Sequence, residues 1–290
     1  MMHTIENDYL RISAKEFGAE LTSIFYKKTN TEHLWQADEK FWGWNAPVLF
    51  PVVGRCVDDT ILIHEQRYHM EKHGFARKSM FNLTEQSASQ LKFMLQSSEA
   101  TLAIYPYLFE FYIVYTVDEN QLKVTYEVVN TGKECMYFQL GGHPAFAVPF
   151  KGQEQYEDYY LEFDQSEKLE RHLINVDGYF TGETELVLSN ESKLGLRKDL
   201  FNRDALIFKN HKSRKVSIKS HNHEHYLSMT FNDFPYLGFW AKENAPYVCI
   251  EPWIGCADST GQLKKYSERE MVNTLEPGTN FKASYSIELG

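Results

Sequence analysis

Three short segments each join a residue suited to proton transfer to a Gly or Pro that fixes the backbone beside it. They are Glu71-Lys72-His73-Gly74-Phe75-Ala76-Arg77, Gly141-Gly142-His143-Pro144-Ala145-Phe146 and Cys249-Ile250-Glu251-Pro252-Trp253-Ile254-Gly255. Imidazoles and carboxylates are the usual general acids and bases. Each segment alone also has a plainer reading. A His beside Gly serves as a satisfied structural or surface group, and a Glu before Pro as an exposed carboxylate at a strand end. What decides is whether the chain brings the three together.

The elements that must position them are strands. Leu122-Lys123-Val124-Thr125-Tyr126-Glu127-Val128 alternates apolar and polar residues without a fault, and so does Phe281-Lys282-Ala283-Ser284-Tyr285-Ser286-Ile287-Glu288. That period places one face on a core and the other in water. Leu10, Ile12 and Ala14 form a similar set, as do Tyr159, Leu161 and Phe163. Phe111 to Val117 reads as a strand buried on both faces, joined to Leu122 by a hairpin loop at Asp118-Glu119-Asn120-Gln121. Helical periodicity is scarce, with short helices readable only over Asp38 to Trp44 and Gly261 to Glu270. No Gly/Ser/Pro-rich linker divides the chain, and no solenoid-like repeat is present. The sequence therefore predicts an all-β chain, one large antiparallel β-sandwich spanning residues 1–290 as a single domain.

Composition narrows the partners. The chain has 290 residues and a net charge of -10, so it lacks the positive field that nucleic acid or an anionic membrane would need. No apolar run approaches the ~20 residues of a membrane span. The first residues lack the basic and apolar regions of a secretion signal. Cys56, Cys135, Cys249 and Cys256 form no C-x-x-C pair, which leaves zinc and thioredoxin readings without support and predicts a reducing cytoplasm. The 5 Trp, 18 Tyr and 20 Phe suit sheet packing; their faces also suit sugar rings. Gly-x-Ser-x-Gly, P-loop and Gly-x-Gly-x-x-Gly motifs are absent.

Taken in order, His-Gly-Phe-Ala-Arg, Gly-Gly-His-Pro-Ala-Phe and Ile-Glu-Pro-Trp-Ile-Gly resemble the aldose 1-epimerase (galactose mutarotase) superfamily. The resemblance is nearest to its LacX-like branch. Pro47-Val48-Leu49-Phe50-Pro51 with Gly54-Arg55, and Phe234-Pro235-Tyr236-Leu237-Gly238-Phe239-Trp240, extend it over nearly the whole chain. It implies a β "supersandwich" and the interconversion of α and β anomers of an aldose, with no cofactor and no metal. One group takes the proton from O1 and another gives one to O5. The C1–O5 bond opens, C1–C2 rotates, and the ring recloses.

By this resemblance Glu251 matches the base at O1, His143 the acid at O5, and His73 the supporting histidine. Arg55 matches a substrate-binding arginine, and Asp204 is the candidate sugar-binding aspartate, although its local motif differs. A histidine titrates near ~6.5 and a nearby carboxylate favours its charged form. A His143–Glu251 pair is thus expected to hold a protonated acid and an ionised base. Trp253, Trp240 and Phe146 are expected to line the sugar site or to pack the core. The segments after His143 and Glu251 depart from the well-studied mutarotases, so sugar specificity does not carry over.

Alternatives stay open. His-Gly-Phe-Ala-Arg also occurs in the hexose-6-phosphate epimerase branch, where Arg77 and Arg55 would hold a phosphate; Arg77 in a structural ion pair is the other reading. A catalytically silent sugar-binding or regulatory protein and a glycosidase are further rivals, the last lacking a convincing second carboxylate. His221-Asn222-His223-Glu224-His225 reads as a hairpin tip or, less simply, a metal site. Asp58-Asp59 and Glu154 to Asp158 read as solvated surface. The expected partner is a small sugar, free or phosphorylated, and the chain a monomer or homodimer.

Overall fold

The computed structural model describes residues 1–290. The alternating segments form strands. Gln121–Asn130 pairs with Asn280–Leu289 on one side and with Phe109–Asp118 on the other, all antiparallel. They lie within a nine-stranded sheet that runs, in spatial order, Phe180–Gly195, Tyr159–Ile174, Lys215–Ser220, Tyr226–Thr230, Asn280–Leu289, Gln121–Asn130, Phe109–Asp118, Gln90–Gln96 and Asn82–Gln86. A six-stranded sheet faces it. Its strands run Leu206–Phe208, Tyr236–Trp240, Tyr247–Ile254, Leu140–Gly142 and Val48–Leu49, with Ala145–Ala147 also paired to Tyr247–Ile254. A four-stranded sheet holds the N-terminal residues.

The main core lies between the two large sheets. Phe111, Ile113, Val124, Tyr126 and Ile287 meet Phe50, Leu237, Phe239, Val248 and Ile250 there. Phe50 stacks on Phe111 with ring centroids 4.5 Å apart, which pins one sheet to the other. Phe111 to Val117 differs from its expectation. Its odd residues are buried and its even residues only half-covered, so the strand alternates like its neighbours. Its hairpin loop is also tighter, since Asp118 and Gln121 pair with each other and only two residues remain.

The two expected helices are absent. Asp38 to Trp42 is a single turn closed by the amides of Phe41 and Trp42 on the Asp38 carbonyl, and Tyr266–Glu268 is one short 3-10 turn. The α-helix present is Glu99–Leu102, capped by Ser98. No helix is long and apolar enough to cross a membrane. Residues 221–225 join two paired strands as the hairpin-tip reading has it. Glu154, by contrast, is not solvated: it bonds Tyr159, Ser220 and His223 together beneath that tip.

The strand Tyr247–Ile254 is buried along its whole length, and its two faces do different things. Val248, Ile250 and Ile254 enter the main core. Tyr247, Cys249 and Trp253 turn the other way into two small apolar clusters, with Glu251 between them. Period-two geometry requires this division.

Candidate active site

Glu251 reaches the outer face of the six-stranded sheet because its strand alternates. His143 meets it there through register. Gly141 pairs with Trp253, and Ala145 pairs with Cys249. The residue midway between them, His143, therefore falls opposite Glu251, where the chain bends at Pro144 and leaves the ladder. Gly141 is required at its position. A Cβ there would stand 2.6 Å from the Trp253 ring, so only glycine lets the indole lie across the strand.

His73 arrives from a third direction. Its backbone N–H donates to the Gly54 carbonyl at 2.8 Å, and the Gly54 N–H donates to His73 Nδ1 at 3.1 Å. Nδ1 is thus an acceptor, and in the neutral ring the proton sits on Nε2. The next residue, Gly74, has φ +72, and a Cβ there would lie 2.2 Å from the Phe50 carbonyl oxygen. That close approach seats the His73 turn against the sheet.

These side chains share one open cavity of about 300 Å³, the lower end of small-ligand sites, which span ~300–1,000 Å³. Glu251, His143, His73, Asp204, Arg77 and Trp253 all line it. His143 Nε2 is 3.1 Å from Glu251 Oε2, yet the angle is wrong for a hydrogen bond, and that oxygen has no partner in the protein. His143 Nδ1, Arg77 Nε and Trp253 Nε1 are likewise buried without a hydrogen-bond partner. Unsatisfied polar atoms this frequent around one cavity mark a place built for a polar ligand. The rings of His73 and His143 lie 5.9 Å apart, nearly perpendicular.

Burial sets the charges, and here the expectation from sequence is corrected. Loss of hydration pushes His143 down to about 3, with Lys72 and Arg77 adding to the shift. It pushes His73 well down for the same reasons. It pushes Glu251 well up, aided by Asp204 and opposed by Lys72. Both shifts favour a neutral acid beside a neutral imidazole over an ion pair. Desolvation of two charges outweighs their attraction. The proton count is unchanged, because the two forms differ only in which group holds one shared proton.

Two expected site residues lie elsewhere. Arg55 makes two 2.8 Å hydrogen bonds to Asp59 and one of 3.1 Å to the Asp177 carbonyl, outside the cavity lining. It ties down the loop that carries Gly178, which does line the cavity. Phe146 is fully buried in the main core. It stands opposite Val248, a core-facing residue, so register turns it away from the site. Arg77 makes no ion pair, against its structural reading. Its guanidinium donates to the Lys72 carbonyl at 2.8 Å and lies over Trp44.

Trp42 and Lys72 are among the lining residues that sequence reasoning missed. Trp42 packs on His143 with ring centroids 4.8 Å apart, from a turn that the sequence reads as a helix. Lys72 lies inside a segment singled out above, but nothing in its spacing marks it as a cavity cation.

Fold and cavity together define a mutarotase-like β-sandwich with His143 and Glu251 side by side on a cavity wall. The chain matches the aldose 1-epimerase family model over residues 1–267 and belongs to that family. Its relatives place it in the LacX-like branch: it is 34% identical over 300 residues to the plasmid LacX protein of Lactococcus lactis subsp. lactis, covering 98% of each chain. Among solved structures it is similar to the galactose mutarotase related enzyme of Lactobacillus acidophilus, with 34% identity, a TM-score of 0.95, and coverage of 100% and 97% of the two chains. A galactose mutarotase-like protein of Lactobacillus casei ATCC 334 gives 32% identity and a TM-score of 0.93, with both chains covered to 100%.

Proposed function

We propose that this chain is a cofactor-independent aldose 1-epimerase, with residues 1–290 acting as one unit on a small sugar in the cytoplasm. The observation that carries this reading is the placement of His143 against Glu251 at 3.1 Å on the wall of an open cavity. A hemiacetal presents two oxygens on one carbon, and a paired acid and base at this spacing can serve both.

With a closed ring bound, hydroxyls replace part of the lost hydration and the ion-pair form becomes accessible. Glu251 takes the O1 proton while His143 gives its proton to O5, and the C1–O5 bond breaks. The site then holds the neutral pair and the open-chain aldehyde. Burial favours this neutral state, so the cavity is already organised for the ring-opened intermediate. After rotation about C1–C2 the same two transfers run backwards. His73, neutral with Nε2–H free of protein acceptors, donates to the oxygen that gains charge. Trp253, Trp240 and Trp42 offer apolar faces to the ring, and Asp204 accepts from hydroxyls.

A second reading concerns the sugar's charge. Lys72 and Arg77 both line the cavity, and two cations there favour an anionic substituent such as a phosphate. Exchange NMR on free and phosphorylated glucose, galactose and tagatose tests both readings. Catalysed exchange in any of them supports the epimerase, and sugar binding without exchange sinks it. An Arg77→Ala loss confined to phosphorylated sugars supports the second reading, and equal loss on free sugars rejects it.

A further inference from the structure

We infer that His143, Cys249 and Glu251 form a coordination site for a thiophilic divalent cation, zinc above all, and that its occupancy blocks the acid-base pair. Cys249 and Glu251 are two residues apart on the strand Tyr247–Ile254, so both side chains leave the same face. His143 faces them from the neighbouring segment. One ligand atom from each lies within 4.8 Å of the other two, and all three residues are buried. Tetrahedral ligands at zinc bond lengths stand about 3.3–3.7 Å apart. The imidazole and carboxyl, 3.1 Å apart, are near that spacing, and the sulfur must close by at most about 1.5 Å.

Three further features fit a cation. Glu251 Oε2 is buried without a hydrogen-bond partner, so coordination breaks no existing hydrogen bond there. Glu251 and His143 both line the open cavity, which supplies an entry path and leaves a fourth position for water. A thiolate and a carboxylate together cancel the charge of a dication, so the occupied cluster is neutral and its burial carries little penalty. Lys72 and Arg77 line the same cavity and repel a bare cation, but not a neutral cluster. The donor set of sulfur, imidazole and carboxylate selects zinc over magnesium or calcium.

Binding replaces the S–H bond of Cys249 and the O–H bond of Glu251 with bonds to the metal and releases both protons to solvent, with no change of oxidation state. The ion then holds the two groups assigned to O1 and O5, so metal and sugar turnover exclude each other. That consequence rests on the function proposed above; the binding itself does not. A search for C-x-x-C pairs passes over this site because its ligands come from two adjoining segments and only one is a cysteine.

The test uses the purified full-length chain with cobalt(II) as a spectroscopic probe and zinc as competitor. One cobalt per chain with a sulfur-to-cobalt charge-transfer band, displaced by zinc, is the expected result. Cys249→Ser, close in shape, and Cys249→Ala should lose the band and bind zinc ~100-fold more weakly, with melting temperature recorded for both. Zinc should stop sugar exchange in the wild type, a chelator should restore it, and both cysteine variants should resist it. No charge-transfer band in the wild type, or an unchanged band in Cys249→Ser, overturns the site. A band in a chain that shows no sugar exchange leaves the metal site standing and removes the epimerase reading.

Discussion

His143 and Glu251 face each other across the one gap in pairing between residues 140–147 and the strand Tyr247–Ile254, flanked by Gly141 opposite Trp253 and Ala145 opposite Cys249. Burial favours the uncharged carboxyl of Glu251, and Gln has nearly the same shape. Glu251→Gln should therefore fold and melt like the wild type. Its catalysed anomer exchange should fall by ~10²–10⁴-fold. Exchange NMR and calorimetry on the same samples check this; retained exchange would remove Glu251 from the chemistry.

Arg55 is expected to act by holding the loop at Asp177 and Gly178 rather than by touching the sugar. Arg55→Ala and Asp59→Ala should then raise KM by similar factors, and the double variant by no more than either alone. If Arg55 instead contacts the sugar, Asp59→Ala leaves KM near that of the wild type. Steady-state kinetics on the three variants separates the two outcomes.

Gly74→Ala meets both a left-handed backbone and the Phe50 carbonyl 2.2 Å from the new Cβ. A loss of roughly 3 kcal/mol or more in unfolding free energy is expected. The midpoint of urea denaturation measures it, and an unchanged midpoint would mean that the His73 turn is not clamped to the sheet.

His33 supplies a pH test away from the cavity. It is buried beside Phe150, with both ring nitrogens unpartnered. Burial pushes it down to about 3, with His225 adding a little. A depressed folded value means that the unfolded chain takes up the proton first. The His33 contribution is complete above pH ~6.5 and is lost as the pH falls towards the folded value. Replacing the ring with an apolar side chain removes this dependence. Between pH 7 and about 4.5 the wild type should lose roughly 2–3 kcal/mol more than His33→Leu, read by urea unfolding at each pH. Parallel pH profiles would show that His33 does not govern acid stability.

Much of this molecule is legible from period two. The alternation in Leu122–Val128 and Phe281–Glu288 fixes which side chains enter the core, and the structure follows it. The site is less legible, because motif proximity says nothing about side-chain direction. Phe146 sits three residues from His143, yet pairing with Val248 turns it into the core. Arg55 follows Gly54, which lines the cavity, yet Asp59 claims its guanidinium. Charge is the other gap. Sequence supplies ordinary titration values, whereas burial pushes His143 down and Glu251 up, against the expected ionisation of both. Trp42 and Lys72 carry no local signature, since their place depends on loops folding over the sheet.

The two-faced strand Tyr247–Ile254 has a consequence for how such a protein can change. Val248 and Ile250 anchor the interior, while on the other face Glu251 looks into the cavity and Cys249 into the small apolar cluster beside it. A methylene added or removed on one side tilts the same backbone that aims the other. Heritable drift in interior volume therefore reaches the cavity-facing groups directly. Compensating substitutions should arise in pairs across this ribbon, one beneath it and one above.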